Sequence, residues 1–271
     1  MSLTLQLTHR RPSFSGKIET EIALIIRSCT LQNVRRIANL SSVLDYDLKR
    51  RGSVAIHDTY FDTNSKYFTR NLISFRVRRY RDEMILSVKS SPQRLVGGGA
   101  SRIEIEQPWS HKSLVRIARK LGLEPPSREL FQRSAGSPSR VLAAAGLEII
   151  QERLTRRKSR DLVAFRRGEP SLFAEMSIDD VTYIFAKGPV RFLEVEIEAK
   201  TAGALPKIRR VVNCLLSEFP ALQRWAHGKF VTGVAIEKIL RKRSLSDLTR
   251  NGMLRAGAFR LIDRTVRAGS L

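Results

Sequence analysis

Two short acidic runs constrain this fold more than any other feature: Glu19-Thr20-Glu21 near the start and Glu194-Val195-Glu196-Ile197-Glu198 late in the chain. Successive side chains of a β-strand alternate between faces. Each run therefore turns its carboxylates one way while Ile18, Ile22, Leu193, Val195 and Ile197 turn the other. Like charges this close repel one another. They are tolerated in water, beside basic groups, or as oxygen ligands of a divalent cation. A half-exposed antiparallel strand shows the same alternation with no ligand at all, so the middle of the chain has to decide.

The middle is a succession of strands and helices. Lys17 to Arg27 reads as a first strand, Leu31 to Leu40 as a helix, and Ser53 to Thr63 as a β-rich run. Leu72 to Tyr80 and Glu83 to Ser90 alternate around Arg81-Asp82 as a hairpin. Gly97-Gly98-Gly99 precedes the alternating run Ser101 to Gln107. No Gly-Lys-Ser/Thr follows it, which favours a hairpin loop over a phosphate cradle. Helical spacing returns at Leu114, Ile117, Ala118 and Leu121 with Gly122 as a stop, and again over Arg128 to Ala145, interrupted near Gly136 and Pro138. Strands are expected over Leu147 to Lys158, Asp161 to Arg167, Leu172 to Tyr183 and Arg191 to Lys200, and helices over Leu205 to Phe219 and Lys229 to Leu240. In the basic tail from Arg241 to Leu271, the apolar stripe Met253, Leu254, Phe259, Ile262 and Val266 predicts a packed terminal helix. The expected organisation is a flexible segment 1–16, a main domain 17–240 and a C-terminal extension 241–271.

Charge narrows the partners. With 49 Lys and Arg against 26 Asp and Glu, the net charge of +23 predicts a polyanion: nucleic acid, an anionic surface or a phosphate-rich small molecule. Cys29 and Cys214 are far apart and lack metal-ligand spacing, which fits a reducing, cytoplasmic setting and gives no sign of zinc. No apolar stretch is long enough to span a bilayer.

Ionisable residues recur in rows on alternating strand positions. Arg76 and Arg78 share a face, as do Ser87 and Lys89; Arg102, Glu104 and Glu106; Arg153, Thr155 and Arg157; Glu175, Ser177 and Asp179; and Glu194, Glu196, Glu198 and Lys200. Phe75, Val77, Ile103, Ile105, Val195 and Ile197 lie opposite and can pack against helices. Such strands form either an open sheet with its charged side in water or a barrel with a polar lumen. A polyphosphate with a divalent cation would satisfy both charge types, because bases take phosphate oxygens and carboxylates hold the metal.

Seven segments carry a resemblance: Glu19-Thr20-Glu21, Tyr60-Phe61-Asp62-Thr63, Ser74-Phe75-Arg76-Val77-Arg78, Leu86-Ser87-Val88-Lys89, Arg102-Ile103-Glu104-Ile105-Glu106, Ser177-Ile178-Asp179 and Phe192 to Glu198. Their order resembles that of the CYTH superfamily, the triphosphate tunnel metalloenzymes, over about Lys17 to Leu240. The resemblance implies an α+β protein with an eight-stranded antiparallel β-barrel, or tunnel, and helices packed outside. It also implies Mg²⁺ or Mn²⁺ and a triphosphate or polyphosphate ligand. Carried over by position, Glu19, Glu21, Glu194, Glu196 and Glu198 would surround the metal. Arg76, Arg78, Lys89 and Arg102 would bind phosphates, joined by Arg153, Arg157, Lys200 and Lys229, with Glu104, Glu106 and Asp179 in support.

One position departs from the pattern. The family's first motif is Glu-x-Glu-x-Lys, and this chain has Ala23 where the lysine belongs. That loss removes a positive charge from the reacting end. Two readings follow: a metal-dependent triphosphatase, or a module that binds polyphosphate or nucleotide without turnover. RNA held by a basic exterior is a third use of the charge, although no ribonucleoprotein or helix-turn-helix motif is present. His9, His57, His111 and His227 are scattered, and structural or surface roles are expected for them.

Overall fold

The computed structural model describes residues 14–27, 31–96 and 98–269. Most of the segment 1–16, together with His9, Cys29 and Gly97, lies outside the described residues. In chain order the main elements are β1 (Lys17–Ile26), α1 (Leu31–Ala38), β2 (Tyr46–Thr63), β3 (Ser74–Tyr80), β4 (Glu83–Lys89) and β5 (Ala100–Pro108). Then come α2 (His111–Leu121), α3 (Arg128–Ser134), α4 (Pro138–Ala144), β6 (Leu147–Arg166), β7 (Glu169–Phe185) and β8 (Gly188–Ala199). The chain closes with α5 (Leu205–Glu218), β9 (Leu222–Trp225), α6 (Lys229–Lys242) and α7 (Ala256–Arg267). Hydrogen-bonded order runs β9-β1-β5-β4-β3-β2-β6-β7-β8, and β1 also pairs with β8, so the order of the eight strands β1 to β8 closes on itself. The class is α+β with a mostly antiparallel sheet, as expected. No helix among the described residues is long and apolar enough to cross a membrane.

The described residues fall into two compact units: one from residues 14–18, 57–91 and 102–152, the other from residues 19–27, 31–56, 92–96, 98–101 and 153–269. In the first, β3 pairs with β4 with Phe75 opposite Val88 and Val77 opposite Leu86, and β4 pairs with β5 with Val88 opposite Ile105. These residues make the apolar face that period-two alternation predicts. Leu114, Ile117 and Leu121 of α2, Phe131 of α3 and Val141 and Leu142 of α4 join them in one core. Helix α2 starts at Ser110, whose hydroxyl accepts from the Ser113 amide, and stops at Gly122 in the left-handed region.

In the second unit β8 is the central strand, paired to β7 and to β1. Leu193, Val195 and Ile197 turn toward Ile22, Leu24, Ile26 and the apolar stripe of α5, Ile208, Val211, Val212 and Leu215. A second core joins Val190 and Phe192 with Ile25, Tyr183 and Trp225 beneath Ile236, Ile239 and Leu240 of α6 and Phe259 and Ile262 of α7. Phe192 and Glu194 share a face of β8, but Phe192 sits in this core and Glu194 does not.

Two expectations of local structure change. The predicted break at Ser159-Arg160 is absent, and β6 runs unbroken from Leu147 to Arg166. Ser159 stays in the strand with its hydroxyl donating to Glu175 Oε1 at 3.0 Å. Met253 and Leu254 form a short strand instead of helix, antiparallel to Thr249–Arg250 and parallel to β8 at Arg191. Asn251-Gly252, both at positive φ, make the turn between them, so the terminal helix begins only at Ala256.

Candidate functional site

Each unit buries its own group of acids and bases. In the second unit, antiparallel register sets Glu194 opposite Asp179, Glu196 opposite Ser177 and Glu198 opposite Glu175 on β7. On the other side of β8, Glu21 faces Glu198, Ala23 faces Glu196 and Ile25 faces Glu194. Glu19 and Glu21 are both buried. Gly99 lets the 98–101 segment approach this strand, because a Cβ there would meet the Glu21 carbonyl oxygen at 2.7 Å.

Two bases enter the row. Arg157 on β6 forks onto Asp179, with Nε donating to Oδ1 at 2.8 Å and Nη2 to Oδ2 at 2.6 Å, and Nη2 also reaches Glu196 Oε2 at 2.8 Å. Lys229, at the start of α6, brings its Nζ to 3.0 Å from Asp179 Oδ2, 3.0 Å from Glu194 Oε2 and 2.5 Å from Glu196 Oε1. Farther along the row Lys200 pairs with Glu198 at 2.9 Å, and Arg51 pairs with Glu175 at 2.7 Å. Arg153 is 2% exposed.

Asp179, Glu194 and Glu196 share the two bases Arg157 and Lys229. Burial pushes the Glu194 carboxyl up to about 8, with Glu196 and Asp179 adding to the rise and Lys229 opposing it. Burial likewise acts to raise Asp179, but Lys229 and Arg157 hold it below its ordinary value. Burial would lower the Lys229 ammonium, whereas Glu194, Glu196 and Asp179 carry it above its usual range. Glu194 is fully buried; its Oε2 lies 3.0 Å from Lys229 Nζ, and its Oε1 has no hydrogen-bond partner among the described residues.

In the first unit Arg76 is the centre. It is 5% exposed, its Nη1 donates to Tyr60 OH at 3.2 Å, and its guanidinium lies 3.6 Å from Asp58, 3.7 Å from Glu104 and 3.8 Å from Glu106. Arg78 forks onto Asp58 at 2.8 and 3.2 Å, and Lys89 meets Glu104 at 3.1 Å. Burial and then the neighbouring Glu104 raise Glu106, against the pull of Arg76, Arg78 and Lys89. Arg102 is half-buried on β5.

The structure thus brings Asp179, Glu194 and Glu196 together with Arg157 and Lys229, and Arg76, Arg78 and Lys89 together with Glu104 and Glu106. Sequence reasoning missed Asp58 and Tyr60 as partners of the arginines. Their signal was the alternation Asp58, Tyr60, Asp62 along β2. Asp62, inside a quoted motif, proves structural: Oδ1 accepts from the Thr63 and Phe68 amides, and Oδ2 accepts from the Thr69 amide and hydroxyl. His111 lies by the Pro126 carbonyl, His57 is 3.8 Å from Glu152, and His227 is buried beside Asp263.

A hard divalent ion suits this donor set. Carboxylate oxygens are its preferred ligands, and Glu194 offers an Oε1 that has no hydrogen-bond partner among the described residues. Among the described residues, no three or more His, Cys, Asp and Glu side chains form a ready-made metal site. Asp179, Glu194 and Glu196 instead converge on an ammonium.

Closed strand order and buried, paired acids and bases on the strands define an α+β protein with charged strand faces. The chain belongs to the CYTH domain family, whose model matches residues 31–219. Glu19, Glu21, Ala23 and Lys229 fall outside that match. By structure the chain is similar to a Hippeastrum protein described as an adenylyl cyclase with a dominant triphosphatase activity, at 17% identity and TM-score 0.51, covering 84% of this chain and 97% of that one. It is also similar to protein PH1819 of Pyrococcus horikoshii, at 16% identity and TM-score 0.44 over 83% and 99%. The mimivirus capping enzyme triphosphatase is a further likeness, at 13% identity and TM-score 0.33 over 73% and 89%. Comparison with curated proteins gives no match.

Proposed function

We propose that this chain hydrolyses a triphosphate-containing substrate, inorganic triphosphate or an organic or nucleoside triphosphate, in the presence of Mg²⁺ or Mn²⁺. The observation that carries this reading is the fully buried Glu194 carboxylate, gathered with Asp179 and Glu196 around the Lys229 ammonium, in a chain of the CYTH family. The activity described for the Hippeastrum protein accords with it. Cysteine usage supports a cytoplasmic setting.

Glu19, Glu21, Glu194, Glu196 and Glu198 are the proposed holders of the cation. A bound divalent ion would supply Lewis-acid polarisation of a phosphoryl oxygen. Arg76, Arg78, Lys89 and Arg102 take phosphate oxygens, with Arg153, Arg157, Lys200 and Lys229 in the same role. Forked guanidinium groups suit this, because two parallel charge-assisted bonds both orient a phosphate and neutralise charge on it. Asp179 holds Arg157, and Glu104 holds Lys89, until phosphate oxygens replace them.

The test is release of orthophosphate, pyrophosphate or cyclic nucleotide from tripolyphosphate, thiamine triphosphate, ATP and triphosphorylated RNA, each with Mg²⁺ or Mn²⁺. Orthophosphate from at least one of them, abolished in the Glu194→Gln, Glu196→Gln double variant, is the expected result. Tight binding without product would leave a polyphosphate-binding module, the reading that Ala23 favours.

A further inference from the structure

Lys229 lies beyond the matched stretch 31–219, yet its ammonium stands among three carboxylates of that stretch. Its main chain is held from several sides. The Lys229 carbonyl accepts from Tyr183 OH at 2.6 Å, and Trp225 Nε1 donates to Thr232 Oγ1 at 3.0 Å. Two residues before Lys229, His227 sits with Nε2 2.8 Å from Asp263 Oδ1 on α7, and the other oxygen of Asp263 pairs with Arg267 at 2.9 Å. The Trp225 ring stands edge-on to His227 and to Phe259 of α7, at 4.9 and 5.6 Å. Through Asp263 and Phe259, helix α7 grips the short segment that delivers Lys229 to the acids.

An ammonium neutralises a buried acidic group without saturating its oxygens. Lys229 Nζ lies 3.0 Å from Glu194 Oε2, while Glu194 Oε1 has no hydrogen-bond partner among the described residues. The lone pairs that a divalent ion needs therefore stay available, and the position a cation would take is filled by a side chain that can leave. We propose that Lys229 is a tethered counter-ion, occupying the cation position of the Asp179, Glu194 and Glu196 cluster until a divalent ion displaces it. The Asp263–His227 contact is the clamp that sets how readily it leaves. This inference rests on the reading that these acids receive the metal, and it concerns binding alone.

Mn²⁺ alone, without any triphosphate, is the probe, titrated by calorimetry and thermal melting into the full chain. Lys229→Met should bind Mn²⁺ about tenfold more tightly than the wild type, since the competing charge is gone. It should also melt lower without Mn²⁺ and recover when the ion is added. Equal or weaker affinity, or a variant that Mn²⁺ fails to restore, overturns the proposal. Asp263→Ala leaves the cluster's charges intact while removing the clamp together with the Arg267 pair. Its Mn²⁺ affinity should rise about threefold, a fraction of the Lys229→Met effect. Asp263→Asn, whose amide oxygen can accept the same bond, should return to the wild-type value. An Asp263→Ala chain with unchanged Mn²⁺ affinity removes the clamp. Phosphate release from tripolyphosphate is scored separately. Tighter Mn²⁺ binding without release keeps the counter-ion and sinks the hydrolytic reading, and release without tightening does the reverse.

Discussion

Ala23 lies directly opposite Glu196 across the β1–β8 pair, with Trp225 opposite it on the other side. A methyl group at this point leaves Glu196 to be met from elsewhere, by Lys229 at 2.5 Å and Arg157 at 2.8 Å. Positive charge reaches Glu196 from α6 and β6. Installing the family's lysine, Ala23→Lys, should tighten tripolyphosphate binding about tenfold, the scale of one charge-assisted hydrogen bond. Calorimetry with tripolyphosphate on the folded variant checks this; unchanged affinity would mean that the side chain at position 23 does not reach a phosphate.

Arg157 should be hard to replace. Its fork is one of two contacts that keep the fully buried Asp179 ionised, the other being Lys229. Arg157→Met leaves that carboxylate to Lys229 alone and should cost about 3 to 5 kcal/mol in urea unfolding. Arg157→Lys keeps the charge but loses the two-pronged geometry, and should fall between the two. A methionine variant as stable as the wild type would show that Asp179 is content with Lys229 alone.

Much of this arrangement was legible because strand periodicity does not depend on tertiary context. Glu194, Glu196 and Glu198 share a face by position alone, and Val195 and Ile197 pack on the other. Helix spacing likewise identified α2 through Leu114, Ile117 and Leu121. What alternation cannot show is which base meets which acid. Lys229 extends from a helix end more than thirty residues after Glu194 in sequence, and no local pattern ties the two. Nor does alternation say where a face changes character. Phe192 and Glu194 read as equivalent positions of β8, and only the placement of α6 and α7 puts the first in a core. The turn at Asn251-Gly252 was visible as a dipeptide but was overridden by an apolar stripe that happened to include Met253 and Leu254.

Asp62 offers a control that separates stability from binding. Its two oxygens accept four hydrogen bonds, three from backbone amides of the 63–69 segment and one from the Thr69 hydroxyl. Asp62→Ala leaves those donors buried and unmet, which should cost about 2 to 4 kcal/mol, since each stranded group is worth about 1 to 3. Mn²⁺ affinity of the folded fraction should stay at the wild-type value. A fall in affinity with no loss of stability would place Asp62 among the ligands instead.

His227 predicts a pH dependence whose sign can be worked out. Burial holds its imidazole below the ordinary value of 6.5, with Arg94 and Arg267 acting the same way and Asp263 opposing them. The folded chain therefore keeps His227 neutral where the unfolded chain takes up a proton. Its contribution to stability is present above about 6.5 and is lost as the pH falls below that value. Asp263, held below 3.8 by His227 and Arg267 against burial, loses its contribution only at lower pH. Glu194 works in the opposite direction: raised from 4.5 to about 8, it binds a proton in the folded chain that the unfolded chain has lost, so stability falls as the pH rises through that interval. Comparing the wild type with His227→Gln cancels the Glu194 term and leaves that of His227. Between pH 7 and 5.5 the melting temperature of the wild type should drop relative to that of the glutamine variant, whose amide can still donate to Asp263. Parallel melting curves over that range would show that His227 is protonated equally in the folded and unfolded chains, and would remove burial as the force acting on it.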